Sequence, residues 1–211
     1  NDTLQGIDLI YPDPGFIVDK KEDLLGIVLT HAHEDHIGAI AHLWPQLKCK
    51  IFATPFTALL IKEKFKEKRI DVTSYLKIVQ LNGSVNLDPF KIEYITLTHS
   101  ILEPNGLRIE TPAGIILHTG DWKIDAEPLI GDKINSDRLK EIGKEGVLAM
   151  ICDSTNVFSM GKSGSELDVR KSMLNIMSSL KKRIIITSFA SNVARMETAF
   201  YCAEQTGRQI S

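Results

Sequence analysis

Apolar and polar positions follow three kinds of pattern along the chain. Leu24-Leu25-Gly26-Ile27-Val28-Leu29 is an unbroken apolar run of strand length and predicts a strand buried on both faces. Lys50 to Ala53 predicts a second strand. Thr54 then stands as a helix N-cap with Pro55 at the first helical position, and Phe56, Leu59, Leu60 and Phe65 are expected to face the core. Between these strands, Gly38 to Leu43 reads as a short helix stopped by Pro45. Asn1 to Lys21, with Gly6, Pro12, Pro14 and Gly15 around short apolar pieces, reads as an extended loop entering the fold.

From Lys77 to Thr119 the period changes to two. Lys77 to Leu81, a turn at Asn82-Gly83, and Phe90 to Thr98 with Ile92, Tyr94 and Thr96 alternating predict antiparallel strands. Leu107 to Glu110 and Ile115 to His118 flank the hairpin-like turn Thr111-Pro112-Ala113-Gly114. A helix around Asp137 to Lys144 precedes a buried strand, Val147 to Ile151. Ser165 then caps a helix with Asp168 three residues on, striped by Leu167, Met173, Ile176, Met177 and Leu180 as core. Arg183 to Ser188 reads as a further buried strand and Asn192 to Gln205 as a helix. A β-rich first part followed by an alternating β/α tail predicts a mixed α/β (α+β) chain without repeats.

Composition changes this picture little. With 211 residues, 43% of them hydrophobic, the chain can build one sizeable core or one core and the beginning of a second. A net charge of −2 gives no global basic footprint, so charge neither proposes nor excludes a nucleic-acid partner. The mixed-charge run from Lys62 to Arg69 reads as a solvated helix face. Cys49, Cys152 and Cys202 are odd in number and far apart, which suits reduced thiols. With no membrane-length apolar run and no signal-peptide pattern, a cytoplasmic location is expected. Asn at position 1 and a helix stop at Gly207 followed by strand-like residues read as a fragment.

The chemistry is concentrated at the end of the first predicted strand. Thr30-His31-Ala32-His33-Glu34-Asp35-His36 puts three imidazoles and two carboxylates into seven residues. Such groups either form a solvated polar turn or bind a metal such as zinc or manganese. In an extended segment His31 and His33 point the same way and can grip one ion, whereas Asp35 and His36, where the chain turns into a helix, face a neighbouring position. More ligands must then come from other strand ends. His99, closing Ile95-Thr96-Leu97-Thr98, is either such a ligand or a satisfied core histidine; Asp121, after His118-Thr119-Gly120, is either a ligand or a turn residue.

His31-Ala32-His33-Glu34-Asp35-His36 resembles the HxHxDH motif of the metallo-β-lactamase superfamily. Thr98-His99-Ser100-Ile101, His118-Thr119-Gly120-Asp121 and Asp153-Ser154-Thr155-Asn156 resemble successive motifs of its ribonuclease J family, and Thr187-Ser188-Phe189-Ala190-Ser191-Asn192 resembles the start of that family's β-CASP insertion. The resemblance implies an incomplete αββα sandwich over residues 1–162 and the opening of a β-CASP domain over 163–211. It implies a zinc-dependent ribonuclease, endonucleolytic and also 5′-to-3′ exonucleolytic, that hydrolyses phosphodiesters with a metal-bridged hydroxide, in a homo-oligomer (dimer or tetramer) of the full-length protein. Two Zn2+ are implied, with Mn2+ or Mg2+ as alternatives: His31, His33 and His99 on one, Asp35 and His36 on the other, and Asp121 bridging. His118 is expected to support the ligands rather than join them. Ser154, Thr155, Ser191 and Asn192 are candidate RNA contacts, and the last two equally suit a helix N-cap.

Family members carry strands before the residue numbered 1 here, a complete β-CASP domain and a return that adds a His to the second metal. The expectation is therefore that this polypeptide alone does not process RNA. Two rival readings are a small-molecule hydrolase on the same scaffold, which would lack the β-CASP start, and an inactive module that binds RNA or a partner enzyme.

Overall fold

The computed structural model describes residues 10–211. The expected entry loop falls partly outside them; within them two short turns, α1 (Gly15–Val18) and a 3-10 turn (Lys21–Asp23), precede the first strand. Three short parallel strands, β1 (Ile27–Val28), β2 (Ile51–Ala53) and β3 (Leu76–Ile78), form one sheet in the order β1-β2-β3. Their connections run through α2 (Glu34–Ile37), α3 (Ile40–Leu47) and α4 (Pro55–Glu67). A second sheet has the order β4-β5-β6-β7-β8: β4 (Ser84–Leu87), β5 (Phe90–Thr96), β6 (Asn105–Thr111) and β7 (Gly114–His118) are antiparallel, and β8 (Ala149–Ile151) joins β7 in parallel after α5 (Ser136–Glu145).

The layers follow from where the apolar faces go. Phe52, Val79 and Val28 of the first sheet meet Ile92, Tyr94 and Leu107 of the second, and the Tyr94 hydroxyl crosses the sandwich to donate to the Phe52 carbonyl at 3.0 Å. Burial pushes that phenol's pKa up, so it remains a donor. Trp44, Ile61 and Phe65 pack α3 and α4 on the outer face of the first sheet, with Ile51 and Leu76 beneath. On the outer face of the second sheet lies α5, its Ile142 fully buried and its Arg138 forked onto Glu93 of β5 at 2.7 Å. The order is αββα. Finally α6 (Glu166–Ser179) and α7 (Val193–Gln205) pack on each other, with Ser165 and Asn192 as their N-caps. Among the described residues no helix is long and apolar enough to cross a membrane.

Several expectations need correction. Pro45 does not stop its helix but lies inside α3, at the loss of one hydrogen bond, because Trp44 and Leu47 on either side are buried; the Trp44 indole also donates to the Cys49 carbonyl at 2.8 Å. Leu59 is exposed on α4, where Ala58 and Ile61 turn inward instead. The first predicted strand shortens to two residues, with Leu25 exposed. The strand predicted from Lys77 begins at Leu76 and is parallel, in the first sheet, while β4 enters after the Asn82-Gly83 turn. Val147 to Ile151 is not buried: Leu148, Met150 and Ile151 are each more than half exposed on an edge strand. Arg183 to Ser188 forms no strand, and Ile185 and Ile186 are exposed.

Candidate metal centre

The candidate ligands stand in the segments that leave strand ends, with Asp35 and His36 in the helix that follows one of them. After β1 the chain remains extended through His31 and His33, then turns into α2, so Asp35 and His36 project to the side of the two histidines. His99 follows β5 in the loop to β6. Asp121 follows β7 past Gly120, whose φ of +56° lets the backbone turn where an added Cβ would lie 2.7 Å from the Asn105 carbonyl oxygen.

The donor atoms converge. His31 Nε2 lies 3.2 Å from His33 Nδ1, which lies 3.1 Å from His99 Nε2; Asp121 Oδ2 is 3.9 Å from His31 Nε2 and 3.7 Å from His99 Nε2. Nitrogen ligands about 2.0–2.1 Å from a tetrahedral zinc would stand about 3.3–3.4 Å from one another, so the spacing fits such an ion. The other Asp121 oxygen, Oδ1, is 3.2 Å from His36 Nε2, which is 3.6 Å from Asp35 Oδ2. Two groups able to hold a metal thus share one carboxylate: His31, His33, His99 and Asp121 in one, and Asp35, His36 and Asp121 in the other.

Electrostatics favour neutral, ligating imidazoles. Burial and the neighbouring His36, His33 and His99 hold the His31 pKa down to about 2, and burial with His33 lowers that of His99 against the opposing pull of Asp121 and Asp153. The Thr30 hydroxyl is 3.0 Å from His31 Nδ1; with that nitrogen donating to it, Nε2 keeps its lone pair for an ion. His118 belongs to neither group. Its Nδ1 accepts from the Gly120 N–H at 3.0 Å and so holds the turn before Asp121.

A cavity of about 340 Å3 opens beside the cluster, lined by His99, Asp121, Trp122, Asp153, Thr155 and Asn156 among others. Thr155 donates to Asp153 through both its amide and its hydroxyl, at 2.9 and 2.7 Å, and Ser154 is exposed next to them. Asn192 caps α7 by accepting from the Arg195 amide at 2.9 Å, and Ser191 is exposed in the preceding turn. Sequence reasoning passed over two supports, the hydroxyl of Thr30 and the amide of Asn105. Asn105 sits in Pro104-Asn105-Gly106, which has the look of a turn and is in fact the start of β6.

The same segments match known proteins. The chain is 42% identical over 209 residues to ribonuclease J of Sinorhizobium meliloti, covering 98% of this chain and 37% of that protein. It is 42% identical to ribonuclease J of Corynebacterium glutamicum over 98% of this chain and 29% of that one, and 39% identical to ribonuclease J 1 of Streptococcus pyogenes over 100% and 37%. It therefore spans well under half the length of these relatives. In fold it is similar to a crystallised protein of unknown function from Enterococcus faecalis, with a TM-score of 0.57 at 15% identity, over 87% of this chain and 45% of that one. The model of the metallo-beta-lactamase superfamily matches residues 6–148, a span that includes both sheets apart from β8, and all six converging side chains. The chain belongs to the metallo-β-lactamase superfamily.

Proposed function

We propose that this chain carries the metal-binding half of a ribonuclease that hydrolyses RNA phosphodiesters with two divalent ions, zinc in the first instance and manganese or magnesium as alternatives. The observation that carries the reading is the convergence of three imidazole nitrogens and a shared carboxylate in a chain similar to ribonuclease J over nearly its whole length. His31, His33 and His99 would hold one ion, Asp35 and His36 the other, and Asp121 both. Ions held there would supply hydroxide at neutral pH and positive charge beside a phosphodiester oxygen.

The protein's own groups do the rest. Burial lowers the His31 and His99 pKa values and so favours the unprotonated imidazoles, and His118 and Thr30 fix the Asp121 turn and the His31 ring. Thr155 and Ser154 offer hydroxyls at or beside the mouth of the cavity to an RNA backbone, and at the start of α7 Ser191 offers a hydroxyl and Asn192 the N–H groups of its side-chain amide. Residues 163–211 would open a β-CASP domain. The Ala194 amide donates to the Ser100 carbonyl at 3.3 Å, next to His99; this contact supports a polymer substrate over a small-molecule one, because the added segment borders the ligand loop. Endonucleolytic and 5′-to-3′ exonucleolytic cleavage, a cytoplasmic location and a homo-oligomer of the full-length protein belong to the same reading.

The test is cleavage of 5′-monophosphorylated RNA by the full-length protein with Zn2+ or Mn2+. His33→Ala should abolish cleavage without unfolding the protein, and full activity in that variant would overturn the assignment.

A further inference from the structure

We infer that Asn105 is a positioning residue of the metal centre, whose side-chain amide ties together the segments that carry His31, His99 and Asp121. The inference rests on the metal-binding reading above and adds to it a group remote from the ions.

Asn105 is fully buried at the first position of β6. Its Nδ2 has two hydrogens and both are used: one goes to the Thr30 carbonyl at 3.1 Å, the other to the Glu103 carbonyl at 2.7 Å. Its backbone N–H also donates to Thr30 at 3.1 Å, so the residue immediately before His31 is held by two bonds from one partner. Glu103 lies in the loop that carries His99. The pairing of Asn105 with Thr96, and the Leu97 amide on the Pro104 carbonyl at 2.9 Å, close that loop at its base. On the third side the Asn105 carbonyl oxygen packs against Gly120, directly before Asp121, closely enough to exclude a Cβ there.

The chemistry of the amide is specific. Both acceptors are carbonyl oxygens, so flipping the amide would set its oxygen against them, and an ionised aspartate of the same shape would have no hydrogen to give. Asn105 Oδ1 is buried without a hydrogen-bond partner among the described residues. An apolar side chain would avoid that cost, so the position is not explained by packing. What the amide uniquely supplies is two fixed N–H directions between ligand-bearing segments, and the Asp121 carboxylate can serve two ions only if its turn stays in register with His31 and His36.

The experiment measures Zn2+ affinity of the full-length protein by competition with a chromophoric chelator, and the visible spectrum of the Co2+ form, for wild type, Asn105→Asp, Asn105→Ala, His33→Ala and Ile142→Ala. Ile142 is buried under α5 on the far face of the second sheet, so its truncation lowers stability without touching the centre. All measurements are made where circular dichroism shows a folded protein. The Asn105 variants should bind Zn2+ about 10- to 100-fold more weakly, with a changed Co2+ spectrum, while Ile142→Ala binds as wild type does. Wild-type affinity in the Asn105 variants, or an equal loss in Ile142→Ala, overturns the inference alone, provided His33→Ala abolishes binding. Wild-type protein that binds no Zn2+ overturns the metal reading and this inference together. Should Asn105→Asp not fold, Asn105→Ser, which keeps one donor, should fall between wild type and Asn105→Ala; wild-type affinity there would also refute the role.

Discussion

His31 carries the clearest consequence at the scale of a single residue. In the folded chain its imidazole stays neutral down to about pH 2, whereas in the unfolded chain it takes a proton near its ordinary pKa of about 6.5. The unfolded state therefore binds more protons between these values. His31 contributes stability that is fully present above about pH 6.5 and is lost as pH falls below it, with a slope of about one proton. His99 and His118 shift in the same direction and steepen the loss. Urea unfolding of chelator-treated protein at pH 5.5, 6.5 and 7.5 checks this: the midpoint should fall steeply below pH 6.5, and a flat profile would contradict buried neutral imidazoles. The candidate ligands were readable because four of them fall within one six-residue motif, and His99 and Asp121 each close a strand-like run. The supporting roles of Thr30 and Asn105 could not be assigned in the same way. Asn105 meets Thr30 75 positions away, a contact that no local pattern encodes.

At the scale of elements, α5 is held over the second sheet by an apolar anchor and a cluster of ion pairs. Arg138 reaches Glu93 with two bonds of 2.7 Å and Glu145 with one of 2.9 Å, and Glu145 in turn pairs with Arg108 of β6. Hydrogen bonds from Arg138 hold the Glu93 carboxyl below the usual range. Ile142→Ala should cost about 2–5 kcal/mol by leaving a cavity under the helix, while Arg138→Ala should cost less, about 1 kcal/mol, because the guanidinium is partly solvated and salt screens it. Thermal or chemical denaturation at low and high ionic strength separates the two, since only the arginine's share should shrink with salt. Elements with their own periodicity, such as β5, the hairpin of β6 and β7, α4 and α5, were legible in the sequence. The failures have one cause: an apolar run reports that it can be buried, not what covers it. Val147 to Ile151 and Arg183 to Ser188 have the composition of buried strands and remain exposed, while Trp44 and Leu47 have enough packing to carry α3 past Pro45.

Across the whole molecule, one carboxylate connects the sandwich to the helical pair. Asp125, in the segment after Asp121, accepts from the Ser165 hydroxyl at 2.7 Å and from the Glu166 and Glu127 amides at 3.0 Å; Glu166 pairs onward with Lys123 and Arg195. The same segment is fastened to the loop that carries His99, where the Lys123 amide donates to the Thr98 carbonyl at 2.8 Å. The first turn of α6 is thus tied to the loops that bear two of the candidate ligands, His99 and Asp121. Burial opposes ionisation of Asp125, but the Ser165 hydroxyl, the two amides and Lys123 together hold its carboxyl below the ordinary aspartate range. Its contribution to stability is consequently present above the unfolded pKa of about 3.9 and lost as pH falls through the folded value. Asp125→Ala leaves the α6 N-terminus with unpaired donors and should cost about 1–3 kcal/mol at neutral pH, and less in acid, where the wild-type carboxylate is itself protonated. In hydrogen exchange the variant should lose protection first at Glu166 and Leu167, with β5 to β7 retaining theirs. Uniform loss across both parts would mean that Asp125 holds the sandwich itself together, and unchanged α6 amides would mean that the helical pair is held by α7 alone.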